Sequence, residues 1–366
     1  MHRSSAKAVS IRFFTILRER LARARAWVER RPRLSAWVYP RGLSRREAGR
    51  RDHNGRMFAD FHEQERMLAD PRRMAFYAAA IARHVQPGDR VVDLGTGTGI
   101  LAALAARRGA SVVYAVDHSA ILGEARELAL ANGLERVQFV PLHSSAFTAE
   151  EPLDLIIHEQ MGDCLFDEGM MASVTDLRDR LLRPGGMILP SAFEFYCEPV
   201  KVRDERLVPF IWELNVLGYD YSCLERSRPQ NPGYYNLASS DRGLVEHFLG
   251  EPEPALRLDL LTVDERAMPG SVTFTRRIVR PGRLDGFAVY FRARVDGDLE
   301  LSSSPLDPHR APHWGFRILR TDRDHFEAGD EITVTLTVGA WSDPDSWRWT
   351  HKRHALAADD VAGLPC

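Results

Sequence analysis

The chain has 366 residues, 44% apolar and 27% charged, a balance that supports packed cores and excludes wholesale disorder. It contains no apolar run near the roughly 18 residues that a membrane-crossing helix needs. The formal net charge of −2 conceals a division: residues 1–52 carry 15 lysines and arginines against 4 acids, leaving 34 against 47 for the rest. This length predicts two domains. The cysteines (Cys164, Cys197, Cys223, Cys366) are scattered without C-x-x-C spacing. They predict neither a disulfide framework nor a metal site, and point to a reducing, cytoplasmic compartment.

In chain order, the basic opening interleaves arginines with Phe13, Phe14, Ile16, Leu17, Leu21, Trp27 and Val28 until Pro32, which predicts a short amphipathic helix. Residues 1–52 read as a basic extension, either simply solvated or docking to something acidic. One or two helices are predicted between Asp60 and His84. From Arg90 the pattern becomes strand and helix in alternation. The strands are Arg90–Leu94, Ser111–Asp117, Val137–Leu142 and Leu153–Glu159, and the helices are Ile100–Arg108 and Ile121–Ala131. Such alternation predicts an α/β fold with a doubly wound, Rossmann-like parallel sheet over residues 53–190. Pro184-Gly185-Gly186 reads as a turn. Beyond it, Phe193–Tyr196, Ser271–Phe274, Phe287–Val295 and Ile332–Val338 predict an antiparallel, barrel-like β domain over 191–366, interrupted by an insert at about 206–248.

Gly95-x-Gly97-x-Gly99, between a strand and a helix, lets backbone approach a ligand closely. A dinucleotide fingerprint would need a third glycine at position 100, where Ile100 stands. The spacing is instead that of S-adenosylmethionine enzymes. Asp117, at the end of the second strand, is placed to accept both ribose hydroxyls or to cap a helix starting at Ser119. Asp93 either supports the loop or faces the methionine amino group.

Four carboxylates (Glu159, Asp163, Asp167, Glu168) lie within ten residues after the fourth strand, at the end of the sheet where open α/β folds bind ligands. They repel one another and stay ionised together only beside a cation, unless the stretch is a solvated acidic hairpin. His158 alone accompanies them and alternation points it away, so no metal site is expected. A planar guanidinium, with five donors, suits two carboxylates approaching from different directions.

The chain resembles the protein arginine methyltransferases. The resemblance is carried by V-V-D-L-G-T-G-T-G-I-L (91–101), by E-Q-M-G-D-C-L-F-D-E-G-M (159–170), similar to that family's double-glutamate hairpin, and by M-L-x-D-x-x-R (67–73). L-R-P-G-G-x-I-L-P (182–190) and Pro312-His313-Trp314 add to it. It implies S-adenosylmethionine as cofactor and an arginine guanidinium, in protein, peptide or free amino acid, as methyl acceptor. Glu159 and Glu168 would clamp the guanidinium, with Asp70 and His313 as the supporting pair beside it. Arg73 would meet the cofactor's carboxylate, with Asp93, Gly95, Gly97, Gly99, Asp117 and Ser144 completing the cofactor site. Met67, Met161, Met170 and Trp314 would line the substrate pocket. The insert lies where the family has a dimerisation arm, so a homodimer is expected, with no specific nucleic-acid partner.

The chain also departs from the family. Asn54, Phe58 and Gln64 replace two tyrosines and a histidine, Gln160 a tryptophan, Asp163 and Asp167 tyrosines, and Pro312 a threonine. His143-Ser144-Ser145 stands where an adenine-side acid is expected. A more acidic pocket mouth would suit a basic peptide or the α-ammonium of free arginine. The alternatives are a methyltransferase of another amine or small metabolite, and a catalytically weak module that holds arginine-rich partners.

Overall fold

The computed structural model describes residues 58–354. The basic extension and its predicted helix lie outside these residues. The described residues begin with two helices, α1 (Phe61–Leu68) and α2 (Pro71–His84). The break between them is local chemistry. Asp70 Oδ1 accepts the backbone N–H groups of Arg72 and Arg73, and Pro71 takes the first helical position, where no N–H is needed.

The parallel half follows as β1 (Arg90–Leu94), α3 (Ile100–Arg107), β2 (Val112–Val116), α4 (Leu122–Ala131), β3 (Val137–Val140), β4 (Leu153–His158), α5 (Met170–Leu181) and β5 (Leu182–Leu189). The strands are parallel in the order β3-β2-β1-β4-β5. The order reverses between β1 and β4, which opens the crevice where such sheets take ligands. Pro184-Gly185-Gly186 does not form the expected turn. It is a bulge within β5, where the register jumps from Leu153–Leu182 to Leu155–Met187. An edge strand tolerates this because proline's missing N–H costs no ladder bond on the open side.

The rest is antiparallel. Its first strands are β6 (Ala192–Val202), β7 (Asn215–Val216), β8 (Tyr219–Asp220), β9 (Asn236–Ser239), β10 (Val245–Phe248) and β11 (Leu256–Asp259). Then come β12 (Ser271–Arg277), β13 (Gly282–Arg294), β14 (Glu300–Ser302), β15 (Phe316–Phe326), β16 (Glu331–Thr337) and β17 (Arg348–His354). A seven-stranded sheet runs β10-β6-β13-β15-β9, with β11 also on β6 and β14 on β13, and β12-β16-β17 form a second sheet. Strand β6 is buried on both faces. Phe193, Phe195 and Cys197 join the core shared with the parallel sheet, while Tyr196, Val200 and Val202 pack under Leu244, Val245 and Phe248. The insert therefore does not merely interrupt this region, because β9 and β10 within it are members of the large sheet.

Candidate active site

The glycine loop leaves β1 with Gly95, Gly97 and Gly99 at φ of +73°, +55° and +85°, a region that side chains with a Cβ rarely enter. At Gly97 a Cβ would lie 2.8 Å from Gln64 Oε1, so α1 presses directly on the loop. Asp93 supports it from beneath: its Oδ2 accepts Thr96 Oγ1 at 2.6 Å and the Ala102 N–H at 2.9 Å. Burial pushes this carboxyl up to about 6. Of the two roles open to Asp93, its Oδ2 takes loop support. Asp117 accepts the N–H groups of Gly97 (3.0 Å) and Ser119 (2.7 Å), one on each oxygen. It caps no helix, since α4 starts only at Leu122, and each oxygen keeps a lone pair directed elsewhere. Ser144 is buried in a short turn, where Arg180 of α5 holds its carbonyl at 3.0 Å. His118 and His143 lie nearby, with ring centroids 5.5 Å apart.

The four carboxylates after β4 have separate fates. Glu159 is gripped by Arg73 in a two-point contact, Nε to Oε1 and Nη2 to Oε2, both at 3.1 Å. Burial works against the Arg73 charge, but Glu159 outweighs it and raises the guanidinium above its ordinary value. Asp163 Oδ1 accepts the Gly315 N–H at 2.6 Å, which ties the loop to the start of β15. Asp167 accepts the Cys164 N–H within its own loop at 3.1 Å and lies 3.9 Å from Arg317. Glu168 has no cation at ion-pair distance among the described residues. Burial raises its carboxyl well above the usual range, and Glu159, Asp167 and Asp163 add to the shift. The two aspartates thus help to fold the loop, while their charges still bear on Glu168. Leu165 turns the loop at φ +72°, a strained value for a non-glycine residue, and is held there by full burial.

Two further segments close the site. Asp70 Oδ2 accepts the backbone N–H of His313 at 3.0 Å, so this expected pair meets through the main chain and not through the imidazole. The His313 ring instead turns to Glu159, with Nε2 3.9 Å from Oε1, and burial lowers its proton affinity. Trp314 is buried and donates its indole N–H to the Met161 carbonyl. Met67, Met161 and Met170 are all buried, and Met67 offers its carbonyl to Arg73 Nη1 at 3.1 Å. His158 points the other way, as alternation predicted, with Nε2 2.8 Å from the Pro190 carbonyl.

Tyr77 was not among the expected site residues, and Gln64 was noted only as a departure from the family. The Tyr77 hydroxyl donates to the His158 carbonyl at 2.8 Å, and its ring lies 5.8 Å from the Arg73 guanidinium, locking β4 to α2. Helical spacing held the signal: Tyr77 lies four residues after Arg73, and Gln64 three before Met67, on shared faces.

Residues 76–191, which carry the parallel sheet, match the family model described as Ribosomal protein L11 methyltransferase (PrmA). The chain is 34% identical over 297 residues to protein arginine N-methyltransferase 6 of Xenopus tropicalis, covering 77% of this chain and 84% of that one. The chain belongs to the protein arginine methyltransferase family. A second relative, protein arginine N-methyltransferase PRMT10 of Oryza sativa subsp. japonica, is 32% identical, with 77% of this chain and 81% of that one covered. The fold agrees with other members. The crystal structure of protein arginine methyltransferase 10 of Arabidopsis thaliana superposes with a TM-score of 0.67 at 24% identity, covering 82% of this chain and 99% of that one. The PRMT1 enzyme-prozyme heterotetrameric complex with AdoHcy of Trypanosoma brucei gives 0.69 at 23% identity, covering 81% and 99%.

Proposed function

We propose that this protein methylates arginine side chains of protein or peptide substrates, with Glu159 and Glu168 holding the guanidinium. The activity is that of its family, S-adenosylmethionine-dependent transfer to an arginine nitrogen. The observation that carries the clamp is the unequal state of the two glutamates. Arg73 already neutralises Glu159, whereas Glu168 is raised by burial and by like charges and has no cation at ion-pair distance among the described residues. A guanidinium arriving between them supplies the missing positive charge. Its nitrogen lone pairs are delocalised, so it is a weak nucleophile. Two carboxylates on the far nitrogens concentrate positive charge there and leave the near nitrogen richer in electrons.

The cofactor fits the residues present. The left-handed glycines leave a cradle that side chains would fill, Asp117 keeps acceptor capacity for ribose hydroxyls, and Arg73 Nη2 retains one N–H for a carboxylate. When bound, it supplies an electrophilic sulfonium methyl. The chain's part is to orient the acceptor and exclude water. Asp70 and Trp314 are positioning residues that hold the His313 segment and the 159–169 loop in register. Ser144 sits on the adenine side, and Met67, Met161 and Met170 form the apolar wall around the acceptor. The relatives' names, protein arginine N-methyltransferases, favour a protein or peptide acceptor over free arginine.

We further propose a homodimer and a cytoplasmic location. The hairpin of β7 and β8 exposes Leu217 (95%) and Tyr219 (75%), apolar side chains that a second copy would cover. Cys164, Cys197 and Cys223 are free thiols, as a reducing compartment leaves them. Light scattering at micromolar concentration should give twice the chain mass, and a monomer mass would refute the dimer. For the activity, the purified full chain is incubated with methyl-labelled cofactor and either arginine-rich peptide, free arginine or lysate. Mass spectrometry should find methylated peptide arginine. Label entering no pool, despite measurable cofactor binding, would overturn the enzyme reading in favour of a binding module.

A further inference from the structure

The reversal of strand order between β1 and β4 places two loops face to face at the carboxyl end of the sheet. Gly95 follows β1 by one residue and Gln160 follows β4 by two. They meet there: the Gln160 side chain has Nε2 3.7 Å and Cγ 3.9 Å from the point a Cβ on Gly95 would occupy. Gln160 Oε1 is buried with no hydrogen-bond partner among the described residues. Buried acceptors are almost always paired, and an orphan in a ligand crevice marks a place for a ligand's donor. Of the neighbouring carboxylates, Asp93 holds Thr96 and Ala102 through Oδ2, and Glu159 is paired with Arg73.

Two cationic N–H donors belong to the molecules this site takes, the acceptor guanidinium and the α-ammonium of the cofactor's methionine portion, the ribose hydroxyls being assigned to Asp117. Side chains alternate past the strand end, and the two residues face different surroundings. Glu159 lies against Arg73 and His313, whereas Gln160 lies against the glycine loop. We infer that Gln160 Oε1 accepts a hydrogen bond from the cofactor's α-ammonium, making Gln160 a positioning residue for the methyl donor. This rests on the reading of the crevice as an S-adenosylmethionine site. A neutral acceptor suits the place, because it holds the ammonium without adding another charge beside Glu159 and Glu168.

Calorimetric titration of the full chain with S-adenosylhomocysteine and with its analogue lacking the α-amino group tests this. Gln160→Leu should weaken S-adenosylhomocysteine about tenfold and the desamino analogue less than about twofold, the size expected for one hydrogen bond to a charged group. Gln160→Glu, which keeps an acceptor in place, should retain the preference for the amine. Equal weakening of both ligands by Gln160→Leu, or an unchanged amine preference, overturns the assignment. Failure of the wild-type chain to bind S-adenosylhomocysteine at all would overturn the cofactor reading itself, and the assignment with it.

Discussion

The ends of the loop between β4 and α5 and its middle are made of the same chemistry and do opposite things. In the middle, Asp163 and Asp167 accept backbone N–H groups from Gly315 and Cys164, bonds that dock the loop and shape it. At the ends, Glu159 is held by an arginine 86 residues away, and Glu168 has no paired cation among the described residues. A carboxylate that bonds backbone is a structural part. One that is desolvated and surrounded by like charge is poised for a cationic ligand.

The sharpest way to break this division is to neutralise each half separately. Glu168→Gln, which keeps shape and removes charge, should lower kcat/KM on an arginine peptide by about a hundredfold or more, roughly 3 kcal/mol of transition-state stabilisation. Cofactor affinity by calorimetry should stay within about twofold. If Asp163→Asn cost as much activity without loss of stability, the separation of roles would collapse. Next in size is the pH response. The Glu168 carboxyl is raised above its ordinary 4.5, chiefly by burial and then by Glu159. It therefore takes up its proton at a higher pH than an ordinary glutamate, and only the ionised form clamps a cation. Activity should fall on acidification along a limb displaced toward neutrality, and a kcat/KM profile of Glu168→Gln should lack that limb. The smallest effect belongs to the middle of the loop. Asp163→Ala removes the acceptor from the Gly315 N–H and should cost about 1–3 kcal/mol in chemical denaturation, with cofactor affinity unchanged. A full-strength loop dock in this variant, seen as unaltered stability, would show that the aspartate is not what holds it.

Much of this was legible locally. The strand–glycine–helix signal around Gly95, Gly97 and Gly99 depends on backbone conformations only glycine adopts freely, and the alternation that turns His158 from Glu159 follows from strand geometry. The misreadings also had local causes. Pro184-Gly185-Gly186 carries turn residues, yet an edge strand absorbs them as a bulge. Asp70 and His313 were rightly brought together, but a residue pattern does not distinguish a backbone contact from an imidazole contact. The insert looked like an interruption because β9 and β10 are only four residues long each, too short to show alternation.

By itself the sequence determined the kinds of element, the glycine cradle, the concentration of acid after β4 and the resemblance to a family, because each depends on residues adjacent or regularly spaced along the chain. Which acid does what was decided by tertiary structure alone. The partners that distinguish the carboxylates, Arg73 for Glu159 and Gly315 for Asp163, are 86 and 152 residues distant. Charge in a protein acquires its role from what desolvates it and what pairs with it, and both are properties of the folded neighbourhood.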